Sequence, residues 1–142
     1  MSIEVIAIHH HAIRIGKDGA ASLSFYQGLL GLVPDGGRPN LPGVPGYWID
    51  VGQTGQIHLI GGARPSPFAK GPGMDPAEPH LALAVTDIVA AKAELERRGA
   101  AFWSVTGVAG PQAEQIFLHD PDGNLIELHQ VDQCRCRAAG RR

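Results

Sequence analysis

The fold of this chain is decided by a stretch near its N-terminus, His10-His11-Ala12-Ile13-Arg14-Ile15, and by its recurrence as His80-Leu81-Ala82-Leu83-Ala84-Val85. Each copy begins with histidine and alternates in hydrophobicity, which is the pattern of a half-buried β-strand. Each copy is followed by apolar residues at helical spacing, namely Leu23, Tyr26 and Leu30 in the first half and Ile88, Ala91 and Leu95 in the second. A repeat of this kind predicts two copies of one strand-and-helix unit.

Three further strands are predicted in each half, at 32–36, 46–51 and 55–60 and then at 101–106, 113–119 and 124–130. Each half therefore reads β-α-β-β-β, and the predicted class is α+β, with two βαβββ modules forming curved mixed sheets around a metal site. We expect one domain at 1–131, with module one at 3–62, a linker rich in proline and glycine at 63–78 and module two at 79–131. A flexible tail is expected at 132–142.

Length and charge limit the class of partner. A chain of 142 residues buries roughly 68–70% of its unfolded surface, enough for one hydrophobic core. The formal net charge of −2 gives no basic field, so neither nucleic acid nor a membrane surface is an expected partner. No segment approaches the roughly 20 apolar residues of a spanning helix, and the first residues lack a signal-like apolar run. We therefore expect a cytoplasmic protein with a small-molecule substrate.

Four polar residues occupy matching places in the repeat. Strand alternation puts His58 and Glu127 on the face opposite their apolar neighbours, and the same face carries His10 and His80. The interval from His10 to His58 is 48 residues, and that from His80 to Glu127 is 47. Three imidazoles and a carboxylate suit a divalent ion such as Zn, Ni, Co, Mn or Fe(II) and leave positions open for substrate. All four are therefore predicted metal ligands.

Alternation also sorts the remaining polar residues of these strands. Ile13 and Ile15 are predicted to pack under the first helix, so His9 and His11 fall on that helix-packed face as core or rim histidines. Arg14 shares the face of His10 and is the predicted substrate-binding residue, because a guanidinium matches planar anions. A structural salt bridge is the alternative for Arg14. His119 and His129 point into or near the site, without a repeat partner that suggests ligation.

Two further motifs complete a family resemblance. They are Phe25-Tyr26-Gln27-Gly28-Leu29-Leu30-Gly31-Leu32 and Asp120-Pro121-Asp122-Gly123-Asn124-Leu125-Ile126-Glu127. Together with the two histidine-led strands, and in this order, they resemble the vicinal oxygen chelate superfamily over roughly residues 6–131. That superfamily includes glyoxalase I, methylmalonyl-CoA epimerase, extradiol dioxygenases, fosfomycin thiol transferases and bleomycin-binding proteins.

The resemblance implies that His10, His80 and Glu127 are the widely shared metal ligands and that the chain is a homodimer. His58 falls where glyoxalase I has glutamate and the epimerase has glutamine. Arg14 matches the arginine with which glyoxalase I grips the glutathione carboxylate. The asparagine that assists this arginine falls on Gly62, which argues against glutathione as a cosubstrate.

The leading functional hypothesis is a divalent-metal-dependent lyase or isomerase similar to glyoxalase I. Its substrate would be a small α-hydroxycarbonyl compound or hemithioacetal, and Glu127 would move a proton as an enediolate forms. One alternative is an Fe(II)-dependent extradiol-type dioxygenase. Another is a non-catalytic ligand-binding or resistance protein of the same fold.

Overall fold

The computed structural model describes residues 3–17, 19–110 and 113–134. The strands are β1 (Val5–Arg14), β2 (Val33–Pro34), β3 (Gly46–Val51), β4 (Gly55–Ile60), β5 (His80–Val85), β6 (Trp103–Thr106), β7 (Glu114–His119) and β8 (Leu125–Gln130). The helices are α1 (Gly19–Leu23), which continues as a π-helical segment (Ser24–Leu29), and α2 (Ile88–Arg97). Within these ranges, no helix is long and apolar enough to cross a membrane.

The strands form one mixed eight-stranded sheet in the order β2-β3-β4-β1-β5-β8-β7-β6. In each half the first strand runs parallel to the last, as β1 does to β4 and β5 to β8, and the two halves meet where β1 pairs antiparallel with β5. The order is the same from either edge, so two βαβββ modules are related by an approximate twofold axis. The predicted α+β class and the repeat are confirmed.

The strands predicted after β1 form close to their predicted positions, although β6 begins at Trp103 instead of 101. The strands predicted at 46–51 and 55–60 coincide with β3 and β4, whereas the strand predicted at 32–36 shortens to Val33–Pro34. Pro34 has no amide hydrogen and cannot extend a ladder. Residues 61–79 connect β4 to β5 without a helix or strand. The tail predicted at 132–142 lies outside the described residues from position 135 onward.

Helix α2 covers the convex face of module two as its sequence predicts. The Asp87 side chain caps its first turn by accepting a hydrogen bond from the Ala90 amide at 3.0 Å. The helix ends before Gly99, whose φ of +66° suits glycine. The buried side chains Ile88, Ala91 and Leu95 pack on Val85, Ile116 and Leu128 of the sheet. This cluster is the main apolar core of the module.

The first helix behaves differently. None of its described residues is buried, Leu29 is 72% exposed and Leu30 of the predicted stripe is 52% exposed, so within one chain the first helix does not bury its apolar stripe as predicted. The Leu30 amide bonds to the Phe25 carbonyl, five residues back, at 3.1 Å. Such a wide turn breaks the 3.6-residue spacing, and the stripe from Leu23 to Leu30 therefore no longer lies on one face.

Candidate metal centre

Strand register brings the predicted ligands onto one face of the sheet. Ala12 of β1 pairs with His58, and Ala82 of β5 pairs with Glu127. Each alanine lies two residues beyond its module's histidine, His10 or His80. The matching intervals of 48 and 47 residues in the sequence therefore reflect the same register in both modules.

Three of the four predicted ligands converge at the junction of the modules. The Nε2 atoms of His10 and His80 are 3.1 Å apart, and Glu127 Oε1 lies 3.3 Å from the first and 3.1 Å from the second. All three side chains are buried. Ligands about 2.1 Å from one ion lie roughly 3.0 Å apart at a right angle and roughly 3.4 Å apart at the tetrahedral angle. The three observed distances fall inside this interval, as expected for ligands of a single ion.

Hydrogen bonding around this cluster directs lone pairs to its centre. His80 Nδ1 lies 2.7 Å from the Glu78 carbonyl, which only accepts, so Nδ1 carries the proton and Nε2 presents a lone pair. Glu127 Oε1 is buried and has no hydrogen-bond partner among the described residues. Two buried acceptors at 3.1 Å repel each other unless positive charge lies between them. The residues therefore fit a bound cation.

Protonation states favour the same conclusion. Burial lowers the pKa of His10 to about 4, so its ring is neutral at pH 7. Burial alone would raise the pKa of Glu127, but the neighbouring imidazoles, His10 first and then His129, hold it well below its ordinary value. Neutral imidazoles and an ionised carboxylate are the forms that bind metals.

A second layer of polar side chains positions the ligands. Glu127 Oε2 accepts hydrogen bonds from Gln115 Nε2 at 3.1 Å and from His129 Nδ1 at 2.9 Å. The His129 ring stacks on the His9 ring, with centroids 4.3 Å apart, and His9 Nδ1 lies 2.8 Å from His10 Nδ1. These contacts fix the orientation of Glu127 and His10, as outer partners do in metal sites.

The position of His9 corrects the alternation argument. His9 is buried beside His10 and His129 rather than on the helix-packed face. Ile8 pairs with Leu83 but His10 pairs with Ala82, so β1 contains one extra residue at this point. This β-bulge turns two successive side chains toward the same face. Cys134 lies near His9 and His129, but it is disulfide-bonded and offers no thiolate there.

His58 lies beside the three converging residues without joining them. Its ring stacks on His10, with centroids 3.7 Å apart, and on Trp48 at 4.8 Å. Its Nε2 lies 2.9 Å from Gln56 Oε1, an acceptor because Gln56 Nε2 donates to two aspartates, Asp35 and Asp50. Burial also lowers the pKa of His58 well below its ordinary value. Ligation by His58 stays a prediction.

Arg14 is held at the C-terminal end of β1, a central strand of the sheet. Its guanidinium donates to the carbonyls of Gly61 at 3.4 Å, Gly62 at 2.5 Å and Ala77 at 3.4 Å. These bonds tie the end of β4 to the segment that precedes β5. Arg14 is absent from the described residues that line the cavity beside the cluster. Its binding of a substrate anion stays a prediction.

A cavity of about 70 Å³ opens beside His10, His80 and Glu127. At roughly 10–15 Å³ for each water-sized group, it holds about five to seven such groups. Its wall is mainly apolar, with Leu41, Val44, Trp48, Phe68, Val105 and Val108. Polar contributions come from Gln115, His129 and Arg38, whose guanidinium donates to the Pro39 and Val44 carbonyls. The cavity suits a small ligand with a few polar atoms.

Comparison with known proteins identifies the family. The model of the Glyoxalase/Bleomycin resistance protein/Dioxygenase superfamily matches residues 7–128. The chain belongs to this superfamily. The resemblance to vicinal oxygen chelate proteins that the four motifs carry is therefore confirmed.

Individual members of the superfamily show how far the likeness extends. The chain is 30% identical over 112 residues to "Glyoxylase I 4" from Arabidopsis thaliana, a match that covers 78% of this chain and 63% of the relative. The chain thus spans less than two thirds of that protein. The crystal structure of methylmalonyl-CoA epimerase from Mycobacterium tuberculosis matches 89% of this chain and 88% of its own, with a TM-score of 0.68 and 24% identity. A hypothetical protein from Bacillus halodurans matches 87% and 93%, with a TM-score of 0.66 and 27% identity.

The sequence pattern finds only part of the second layer of polar side chains that positions the metal ligands. Alternation places His129 near the site, and the structure confirms this position, whereas His119 is exposed. Gln115 could have been found from the same rule, because it pairs with His129 across β7 and β8. No rule based on alternation finds His9, since its position depends on the bulge.

Proposed function

We propose that the chain is a divalent-metal-dependent lyase or isomerase of glyoxalase type. The observation that carries the proposal is the convergence of three buried acceptor atoms, on His10, His80 and Glu127, at the wall of a small cavity. The superfamily and the Arabidopsis relative named "Glyoxylase I 4" support it. The proposed ligands are these three residues, with His58 as the fourth, and the ion is Zn, Ni, Co, Mn or Fe(II).

The proposed reaction moves a proton between neighbouring carbons of a small α-hydroxycarbonyl compound. A bound divalent cation would supply positive charge next to the substrate oxygens. Glu127 takes the proton from the carbon beside the carbonyl, and the C–H electron pair becomes the double bond of an enediolate. Return of the proton to the neighbouring carbon, together with transfer of the hydroxyl proton to the former carbonyl oxygen, completes an isomerisation with no change in net oxidation state. Gln115 and His129 hold Glu127 Oε2, so Oε1 would both ligate the ion and, by sharing or giving up that ligation, take the proton.

The size of the cavity supports a small substrate. Space for about five to seven water-sized groups matches a compound of three or four carbons and its oxygens. A glutathione or coenzyme A conjugate could place only its reacting end there. Gly62, at the position where glyoxalase I carries asparagine, agrees with a substrate free of glutathione.

We propose that the chain assembles as a homodimer through apolar surface that one copy leaves open. On β1, the side chains of Val5, Ile6 and Ile8 are each 45% exposed or more. β4 pairs with β1 only from His10 onward. One backbone edge of residues 5–9 is therefore not covered by β4. Unpaired edges with apolar side chains promote association between chains. The poorly covered first helix supports the same conclusion.

The test of the proposed function is metal content together with turnover. We expect about one transition metal per site in protein purified without chelator or affinity tag, and its loss in the variants His80→Ala and Glu127→Ala. Candidate α-hydroxycarbonyl compounds are then screened with the loaded protein. Wild-type turnover by either variant on the substrate so found would refute the mechanism.

A second candidate function has a specific observation in its favour. Two histidines and one carboxylate form the usual ligand set of Fe(II) oxygenases, and His10, His80 and Glu127 supply that set. Protein loaded with Fe(II) under anaerobic conditions should then consume oxygen when a catechol is added. If no oxygen uptake is detected, this candidate is rejected.

A further inference from the structure

Gln115 and His129 carry more hydrogen-bonding capacity than Glu127 uses. They face each other across β7 and β8, are both buried, and both line the cavity. Each donates one hydrogen bond to Glu127 Oε2. Gln115 Oε1 and His129 Nε2 remain buried, without a partner among the described residues.

The carboxylate determines the polarity of both remaining atoms. An ionised carboxylate only accepts, so His129 must present Nδ1–H to it, which leaves a lone pair on Nε2. By the same reasoning the Gln115 amide group must donate, so its oxygen points away from Glu127. Two buried acceptors therefore lie behind the metal ligands. Buried acceptors without a donor are costly.

We propose that Gln115 Oε1 and His129 Nε2 form a donor-recognising pair, which selects a substrate with a hydroxyl or N–H group next to its metal-binding oxygens. This inference rests on the proposed function and specifies its substrate class. A ligand with an O–H or N–H directed at the pair supplies a donor that the buried acceptors lack. A ligand with only carbonyl or carboxylate oxygens at that point is repelled. The pair thus favours a hydroxycarbonyl compound over a dicarbonyl compound.

A purely structural role for His129, that of holding Glu127, makes a different prediction. In His129→Asn the amide nitrogen takes the place of Nδ1 and still reaches Glu127, whereas nothing takes the place of Nε2. In His129→Gln the amide takes the place of Nε2, whereas the donor to Glu127 is lost. The first variant should therefore keep the affinity for zinc and lose ligand selection. The second should bind zinc more weakly but keep the selection once it is loaded with zinc.

The experiment uses zinc and two hydroxamates. Acetohydroxamate and N-methylacetohydroxamate offer the same two chelating oxygens, but only acetohydroxamate has an N–H. Calorimetric titration of zinc-loaded wild type should show tighter binding of acetohydroxamate by roughly three- to tenfold, the range of one ordinary hydrogen bond. His129→Asn should bind zinc as wild type does and show no such preference. Gln115→Met keeps the volume of the side chain but removes both its acceptor and its hydrogen bond to Glu127. Once loaded with zinc, this variant should also show a reduced preference, whereas a preference caused only by the bulk of the N-methyl group would remain.

The outcomes separate the two proposals. If wild type binds no zinc, the proposed function and the donor-recognising pair both fail. If zinc binds but wild type does not distinguish the hydroxamates, only the pair is refuted. Retention of the preference in both His129→Asn and Gln115→Met refutes it as well. Retained zinc binding shows that a variant is folded at the site.

Discussion

Zinc should raise the melting temperature of this protein, and the change should depend on His80 but not on His11. Both histidines lie in β-strands near the cluster, but His80 Nε2 faces Glu127, whereas His11 is exposed on the opposite face. An ion that binds only the folded chain stabilises it by about 2.7 kcal/mol at a concentration 100 times its Kd. The unfolding entropy of a chain of 142 residues is roughly 0.3 kcal/mol per kelvin, at about 2.1 cal/mol/K per residue.

These values give an expected increase of about 9 °C in Tm. The assay is far-UV circular dichroism during heating of wild type, His80→Ala and His11→Ala, each with and without zinc. Wild type and His11→Ala should show the full increase, and His80→Ala should show little or none. An equal increase in His80→Ala would mean that zinc binds elsewhere, and the assignment of the cluster as a metal site would be wrong.

Three further results are expected. Leu95→Ala should lower the free energy of unfolding by about 2–5 kcal/mol, because Leu95 is buried in the core of module two. Leu29→Ala on the exposed first helix should change the free energy of unfolding of the monomer by less than about 0.5 kcal/mol. Equal effects of the two substitutions in urea titrations would contradict the burial of Leu95 and the exposure of Leu29. Leu29→Glu or Ile8→Glu should shift analytical ultracentrifugation profiles from dimer to monomer, and a wild type that sediments only as monomer removes the proposed dimer. Burial would raise the pKa of Asp75, but hydrogen bonds from Ser66 and Ala77 lower it below 3.8, so the ionised carboxylate stabilises the fold above that pH and this stabilisation is lost as the pH falls through the folded-state pKa. Asp75→Asn should therefore lose less stability than wild type between about pH 4 and pH 2. Parallel curves of unfolding free energy against pH for the two proteins would refute the role of this carboxylate.

The parts of the fold that were predictable are those set by local pattern. β3 and β4 have the predicted limits, because alternation and flanking glycines depend only on neighbouring residues. Asp87 and the apolar spacing that follows it predict α2 for the same reason. The equivalence of His58 and Glu127 was also predictable, since equal intervals within a repeat imply equal register.

Other features depend on contacts that no local pattern encodes. The bulge at His9 exists because β1 has one more residue than β5 uses at that point, and β5 lies about 70 residues away in the sequence. Likewise, His58 Nε2 is bonded to Gln56, whose orientation is determined by Asp35 and Asp50 on other elements. Arg14 was predicted as an anion-binding residue from its face of the strand, and that pattern does not show that the carbonyls of Gly62 and Ala77 accept hydrogen bonds from its guanidinium.

The sequence by itself determined the repeat, the α+β class and the identity of His10, His80 and Glu127 as candidate ligands, because periodicity and spacing are properties of the chain. Only the tertiary structure decided which nitrogen atoms meet Glu127, which oxygen of Glu127 stays unbonded, and which acceptors of Gln115 and His129 are buried without a partner among the described residues. Those properties depend on hydrogen bonds between strands far apart in sequence. Which ring nitrogen of a histidine carries the lone pair is decided by the hydrogen-bond partner of the other ring nitrogen, and folding alone brings that partner into place.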